Sequence, residues 1–266
     1  MPNVEHAKKT QKHLLEKTHT LIAKTRFAYS IFTEYYRNSA RRAPRIVYIG
    51  HSSLDPLVLF GDNLPIQNFS NVFHANGLAG TKGTAELVKC WLQHPEWPTL
   101  TVLGHPNEDK IPKGIIKPEN IKLIEKVGFK ELVKLQRESA IHVYPAEREG
   151  FGHALNEARA SGALLLTTNF GPMDEFVHDG YSGFFIDIKK ETVEETQLFS
   201  ELRPVQVQMD YRDICSAMEK VFQLSMDDRK KMGQVGRAAF LTDRMYFIET
   251  VNILKNEALK LFQGKS

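Results

Sequence analysis

From Phe69 onward, short apolar runs alternate with one-faced segments. Ser70–His74, Thr99–Leu103 and Asn120–Ile124 have the length and composition of strands, whereas Thr84–Gln93 and Phe129–Ser139 carry helical periodicity. Ala140–Tyr144 is another buried-type strand, and Pro145 ends it because proline has no N–H for the ladder. A helix starts near His153, with small or apolar residues at Ala154, Leu155, Ala158 and Ser161, and Gly162 stops it. Ala163–Thr167 and Gly183–Ile188 read as further strands. An acidic stretch of low periodicity runs on to about Met209, and helices fill the rest. Strand and helix in regular alternation predict an α/β fold with a doubly wound parallel sheet.

Two one-faced helices lie outside that alternation. In Arg26–Arg37, Ala28, Ile31, Phe32 and Tyr35 share a face and the basic residues lie elsewhere. In Arg244–Phe262, Phe247, Val251, Leu254, Ala258 and Leu261 recur at i, i+4, i+7, i+11 and i+14. Residues 1–42 hold nine Lys or Arg against three Glu, so the net charge of +3 is concentrated at the start of the chain. Without a repeated basic-aromatic pattern this reads as a solvated helix face, and no nucleic-acid partner is expected. The 266 residues suffice for one large or two modest domains. No apolar run reaches eighteen residues and no basic-then-apolar leader opens the chain, so neither a membrane span nor a secretory signal is expected. Cys90 and Cys215 are too few for a disulfide framework; they read as small buried hydrophobes in a reducing, cytoplasmic setting. No Cys and His spacing suits zinc, and neither a metal nor another cofactor is expected.

The chemistry concentrates between Tyr144 and Gly183. Glu149 sits in the turn after a strand, Gly150 and Gly152 bracket Phe151, and Glu157 follows on the helix with seven residues between the two acids. In a strand–turn–helix–strand unit this places both carboxylates at the carboxyl edge of the sheet, where ligands bind and helix N-termini attract anions. An ionised carboxylate only accepts hydrogen bonds, which suits sugar hydroxyls; acidic residues near a helix start also stabilise its dipole. A second loop, HANGLAGTKGTAEL from His74, offers Gly77, Gly80 and Gly83 for close backbone approach. Lys82 stands there as a point charge able to meet a diphosphate, before a helix with Thr84 as a candidate N-cap. The spacing is not that of a Walker loop, and no G-x-G-x-x-G follows a strand.

Pro145, the Glu149-Gly150-Phe151-Gly152 turn, Glu157, Gly162, Gly171 with Glu175, and Gly180 with Gly183 together resemble the C-terminal domain of retaining nucleotide-sugar glycosyltransferases of the GT-B fold, family 4 or group 1. The resemblance implies a Rossmann-like sheet over residues 67–266 that binds the donor, ending in a crossover helix. His19–Lys24, Thr25–Tyr36 and Arg45–Asp55 resemble the last strand, helix, strand and linker of the family's acceptor domain, so residues 1–66 read as a truncated remnant of it.

By the same resemblance Glu149 contacts the transferred sugar as the catalytic residue, Glu157 takes the ribose hydroxyls and Lys82 the diphosphate. The backbone of Gly150, Phe151 and Gly152 lines the sugar pocket. Gly77 stands where the family has an arginine, and Ala146 where it often has serine. The implied reaction transfers a sugar from a UDP or GDP donor to a glycan or small-molecule acceptor. The alternative is a truncated, catalytically weak nucleotide-sugar-binding module, associating as a homo-oligomer or with a separate acceptor-domain protein.

Overall fold

The computed structural model describes residues 17–38, 42–76, 81–104, 119–193 and 205–263. The chain divides into two compact units: residues 53–193 with 205–239, and residues 1–52 with 194–204 and 240–266.

The larger unit is built on a six-stranded, all-parallel sheet of β3 (Asn68–Ala75), β4 (Leu100–Leu103), β5 (Ile121–Ile124), β6 (Ser139–Tyr144), β7 (Leu164–Thr168) and β8 (Gly183–Ile186), arranged β5-β4-β3-β6-β7-β8. Numbered from its own first strand, this is the doubly wound order 3-2-1-4-5-6, which reverses direction between β3 and β6. There Val72 pairs with Ile141 and Phe73 with His142, so the ends of both strands open side by side.

Helices cover both faces. Ile141, Val143, Leu164 and Leu166 join the core of α3 (Thr84–Gln93) and α6 (Tyr211–Gln223), which contribute Leu87, Trp91, Ile214 and Met218. The alternate residues Tyr144 and Leu165 join a second cluster with Leu155 and Ala158 of α5 (His153–Ser161). Strand side chains alternate between faces, so near-continuous apolar strands are what a sheet buried on both sides requires. Helix α4 (Phe129–Glu138) leads into β6, and the short α2 (Pro56–Phe60) is capped by Asp55, whose carboxylate accepts from Leu57 N–H.

Two expectations are corrected here. The acidic stretch contains an antiparallel strand pair, β9 (Lys190–Val193) with β10 (Val205–Gln208), because alternating valine and glutamine suits a strand once a distant partner supplies the ladder. Cys90 on α3 and Cys215 on α6 are buried as expected but disulfide-bonded, with Cα atoms 5.6 Å apart. Although 125 positions apart in sequence, they meet because the two helices pack on the same face of the sheet. Two cysteines make no framework, yet they make one bond, and this removes the argument for a reducing compartment.

In the smaller unit β1 (Thr20–Ala23) and β2 (Arg45–Tyr48) pair in parallel, joined by α1 (Arg26–Asn38). Phe32, Tyr35 and Tyr36 of α1 pack with Leu21, so Tyr36 rather than Ile31 completes the buried stripe. The last helix, α7 (Met226–Gln263), is longer than the periodic stretch indicated. Its residues from Phe240 belong to this unit. There Arg45 meets Glu257 at 2.7 Å, and Tyr246 donates to the Tyr48 carbonyl. Among the described residues no helix is long and apolar enough to cross a membrane.

Candidate functional site

The two candidate loops leave β3 and β6 at the switch point and are joined to each other. Glu147 N–H donates to the Thr81 carbonyl at 2.9 Å. Gly83 lies against Pro145 so closely that a Cβ there would sit 2.0 Å from the Pro145 carbonyl oxygen, and its φ of 65° is left-handed. Only glycine meets both conditions. Gly83, not Thr84, is the N-cap of α3. The Thr84 hydroxyl is turned inward instead, between His74 Nε2 at 2.8 Å and Asn76 Oδ1 at 2.6 Å. His74 Nδ1 faces the Val143 carbonyl at 2.7 Å, which ties β3 to β6 beneath the loops. Burial pushes the His74 imidazole down to about 4, against the Val143 hydrogen bond and with the help of the Lys82 charge, so it is neutral at pH 7.

Lys82 forms an ion pair with Glu149 across the two loops. Side-chain exposures of 19% and 16% set it apart from the solvated surface pairs that contribute little. Burial would raise the Glu149 carboxyl, but the charge and hydrogen bond of Lys82, with the N–H groups of Gly150 and Gly152, outweigh it and hold the carboxyl below the usual range. Glu149 is therefore ionised and acceptor-only at neutral pH.

The turn ends at Gly152, the left-handed N-cap of α5, where a Cβ would fall 2.5 Å from the Phe176 ring. Arg159 lies 5.2 Å from the centre of that ring. Phe151 is half-buried, its ring 5.7 Å from that of the exposed His153. Ala146 is buried in the second apolar cluster.

Glu157 stands on the α5 face toward α4, where Gln136 Nε2 donates to its Oε2 at 2.8 Å. Burial raises its carboxyl, against the Gln136 hydrogen bond and the His153 charge. Lys82, Glu149, Gly150 and Gly152 are thus joined directly, Phe151 lies between the two glycines, and Glu157 stands further along the same helix. Gly77 and Gly80 lie outside the described residues. Sequence reasoning missed His74, Thr84 and Gln136 as parts of this assembly, because each acts through a partner on another element. Among the described residues no three or more His, Cys, Asp or Glu are grouped to hold a metal ion.

An all-parallel sheet in this order, with paired loops at its switch point, defines a Rossmann-like domain of the GT-B type. Residues 72–213, just over half the chain, match the family described as glycosyl transferases group 1, and the chain belongs to that family. Among curated proteins it is 27% identical over 185 residues to the GtfA subunit of a UDP-N-acetylglucosamine–peptide N-acetylglucosaminyltransferase of Streptococcus pneumoniae, an alignment covering 68% of this chain and 36% of that protein.

Among solved structures, pneumococcal GtfA in complex with UDP and GlcNAc superposes with a TM-score of 0.67 at 19% identity, covering 93% of this chain and 47% of that one. The GtfA/B complex matches with the same TM-score at 21% identity and the same coverages. Anabaena HepE in complex with UDP and glucose matches with a TM-score of 0.61 at 13% identity, covering 89% and 63%. The chain therefore spans about a third of its curated relative and about half of the GtfA chains.

Proposed function

We propose that this chain supplies the donor half of a retaining glycosyltransferase, with residues 67–266 binding the nucleotide sugar and residues 1–66 belonging to the acceptor side. The observation that carries the proposal is the Lys82–Glu149 ion pair at the switch point, between two loops fastened by Gly83 and Glu147. A lysine and an ionised carboxylate side by side suit the two ends of a sugar diphosphate. The ammonium has three N–H donors and can turn one toward phosphate while keeping Glu149, and the carboxylate accepts from sugar hydroxyls. As the glycosidic bond breaks, charge accumulates on the departing diphosphate, and the Lys82 ammonium stabilises it. The backbone from Gly150 to Gly152 lines the sugar pocket, and Glu157 accepts from the ribose hydroxyls.

The structures of GtfA and HepE with UDP favour UDP over GDP donors as the first choice. The test is calorimetry with UDP, GDP and their sugars. The expected result is UDP binding that weakens in Glu157→Ala, and unchanged affinity in that variant for every nucleotide would remove the ribose role.

A second reading is favoured by the GtfA/B complex among the similar structures. On this reading the chain works with a second chain, a copy of itself or a separate acceptor-domain protein.

A further inference from the structure

The proposed ribose carboxylate does not stand alone: a line of buried polar groups runs up to it from the sheet. Gln136, on α4, is 3% exposed, and its side-chain Nε2 donates to Glu157 Oε2 at 2.8 Å. Its own carbonyl receives His142 Nε2 at 2.8 Å. A carbonyl can only accept, so Nε2 carries the proton, and Nδ1 is left to accept from the Tyr144 hydroxyl at 3.4 Å. Tyr144 and His142 are themselves buried on β6, the strand that ends in the Glu149 turn. The line therefore begins on the strand that leads into the Glu149 turn and ends on Glu157. An apolar residue would fill the position of Gln136 as well, yet a buried amide there is satisfied only by facing an acceptor. The acceptor is Glu157.

Resting on the reading of Glu157 as the ribose contact, we propose that Gln136 is a positioning residue for nucleotide recognition: its amide holds one oxygen of Glu157 and turns the other toward the ribose hydroxyls. An unsupported buried carboxylate would rotate and would take up a proton at higher pH, and a protonated carboxyl gives up an acceptor site to an O–H donor. The groups that act on Glu157 through charge are His153, one turn earlier on α5, and Tyr144, from β6.

The test compares UDP with 2′,3′-dideoxy-UDP by calorimetry from pH 5 to 8 on the full chain, so that the ribose hydroxyls are read separately from the base and diphosphate. In Gln136→Met the preference for UDP should fall about tenfold, as for loss of a hydrogen bond to a charged group. Dideoxy-UDP should bind as in the parent, and the acid limb of UDP binding should move to higher pH. Gln136→Glu keeps the side-chain shape, and the like charge beside Glu157 should move that limb further still.

If either variant folds with the parent's thermal transition and both the preference and the acid limb stay unchanged, the positioning role is overturned. Glu157→Gln separates the two layers. A lost UDP preference there with unchanged Gln136 variants rejects only the positioning role, whereas an unchanged preference in Glu157→Gln rejects the ribose reading beneath it.

Discussion

Lys82 and Glu149 show what a single pair of residues can and cannot reveal in advance. Their types and their places after two strands were legible, because proline and glycine punctuate the loops and the motif is dense. That they would be bonded to each other was not, since the contact crosses 67 positions and depends on the order of the strands. The same limit hid Gln136, which reads as one more polar residue of an exposed-looking helix. Thr84 suits a cap by its type, but Gly83 alone tolerates the left-handed turn against Pro145.

Lys82→Ala should weaken UDP by roughly tenfold or more, as expected for loss of a charge-assisted bond, and leave uridine unaffected. Equal effects on UDP and uridine in calorimetry would contradict a diphosphate role. Because Glu149 is held below its usual range, the stability it contributes is present above the ordinary glutamate value and is lost only as pH falls through its lower folded value. Glu157 has the opposite sign. On the proposed ribose role, its raised carboxyl should make nucleotide affinity fall on acidification sooner than for an ordinary glutamate. Gly77→Arg should bind UDP more tightly, since it restores the second cation that the resemblance leads one to expect.

At the scale of elements, every strand of the large sheet from β3 to β8 was legible to within two residues or so, as were α3, α4 and α5. Buried parallel strands are short apolar runs, and their helices carry a distinct period. The β9–β10 pair was not, because four-residue strands pair across 194–204 and no turn signal marks them. Nor was the junction of α3 with α6, where three contacts coincide. Glu86 accepts from Tyr211 N–H at 3.0 Å, Lys89 Nζ lies 4.4 Å from the Tyr211 ring centre, and Cys90 bonds Cys215.

Since α3 starts at the Lys82–Gly83 turn, this junction anchors the helix behind the proposed diphosphate loop. Reduction, or Cys215→Ser, should lower stability by about 2–5 kcal/mol, the usual cost of losing a native disulfide. Denaturant melts with and without reductant measure this directly. Identical midpoints, with free thiols titrating in both samples, would show that the bond does not form in solution.

For the whole molecule, two fully buried histidines contribute to the response to acid. His74 and His142 are both pushed down to about 4 by burial, and each hydrogen-bonds a backbone carbonyl in its neutral form. A histidine depressed in the folded state contributes stability that is complete above its unfolded value of 6.5 and is lost as pH falls toward 4. The loss is at most about 3 kcal/mol for each ring by the linkage relation. Chemical denaturation at pH 7, 6, 5 and 4 should show it, and a flat profile would mean that neither ring is held neutral.

The last expectation concerns apolar surface rather than charge. In the smaller unit the seam of α7 is nowhere fully buried from Leu241 to Lys260. Met245, Ile248 and Ile253 are 63%, 46% and 56% exposed, and Ile22 on β1 is 43% exposed. Parallel strands are stable when both faces are covered, and isolated apolar residues are ordinary on a surface, whereas a run of them along one helix marks association. The chain is therefore expected to self-associate or to bind another protein through this face. Light scattering across a dilution series should show a mass above one chain that falls on dilution or in Met245→Glu with Ile253→Glu. A monomer at every concentration would show instead that this face is ordinary surface.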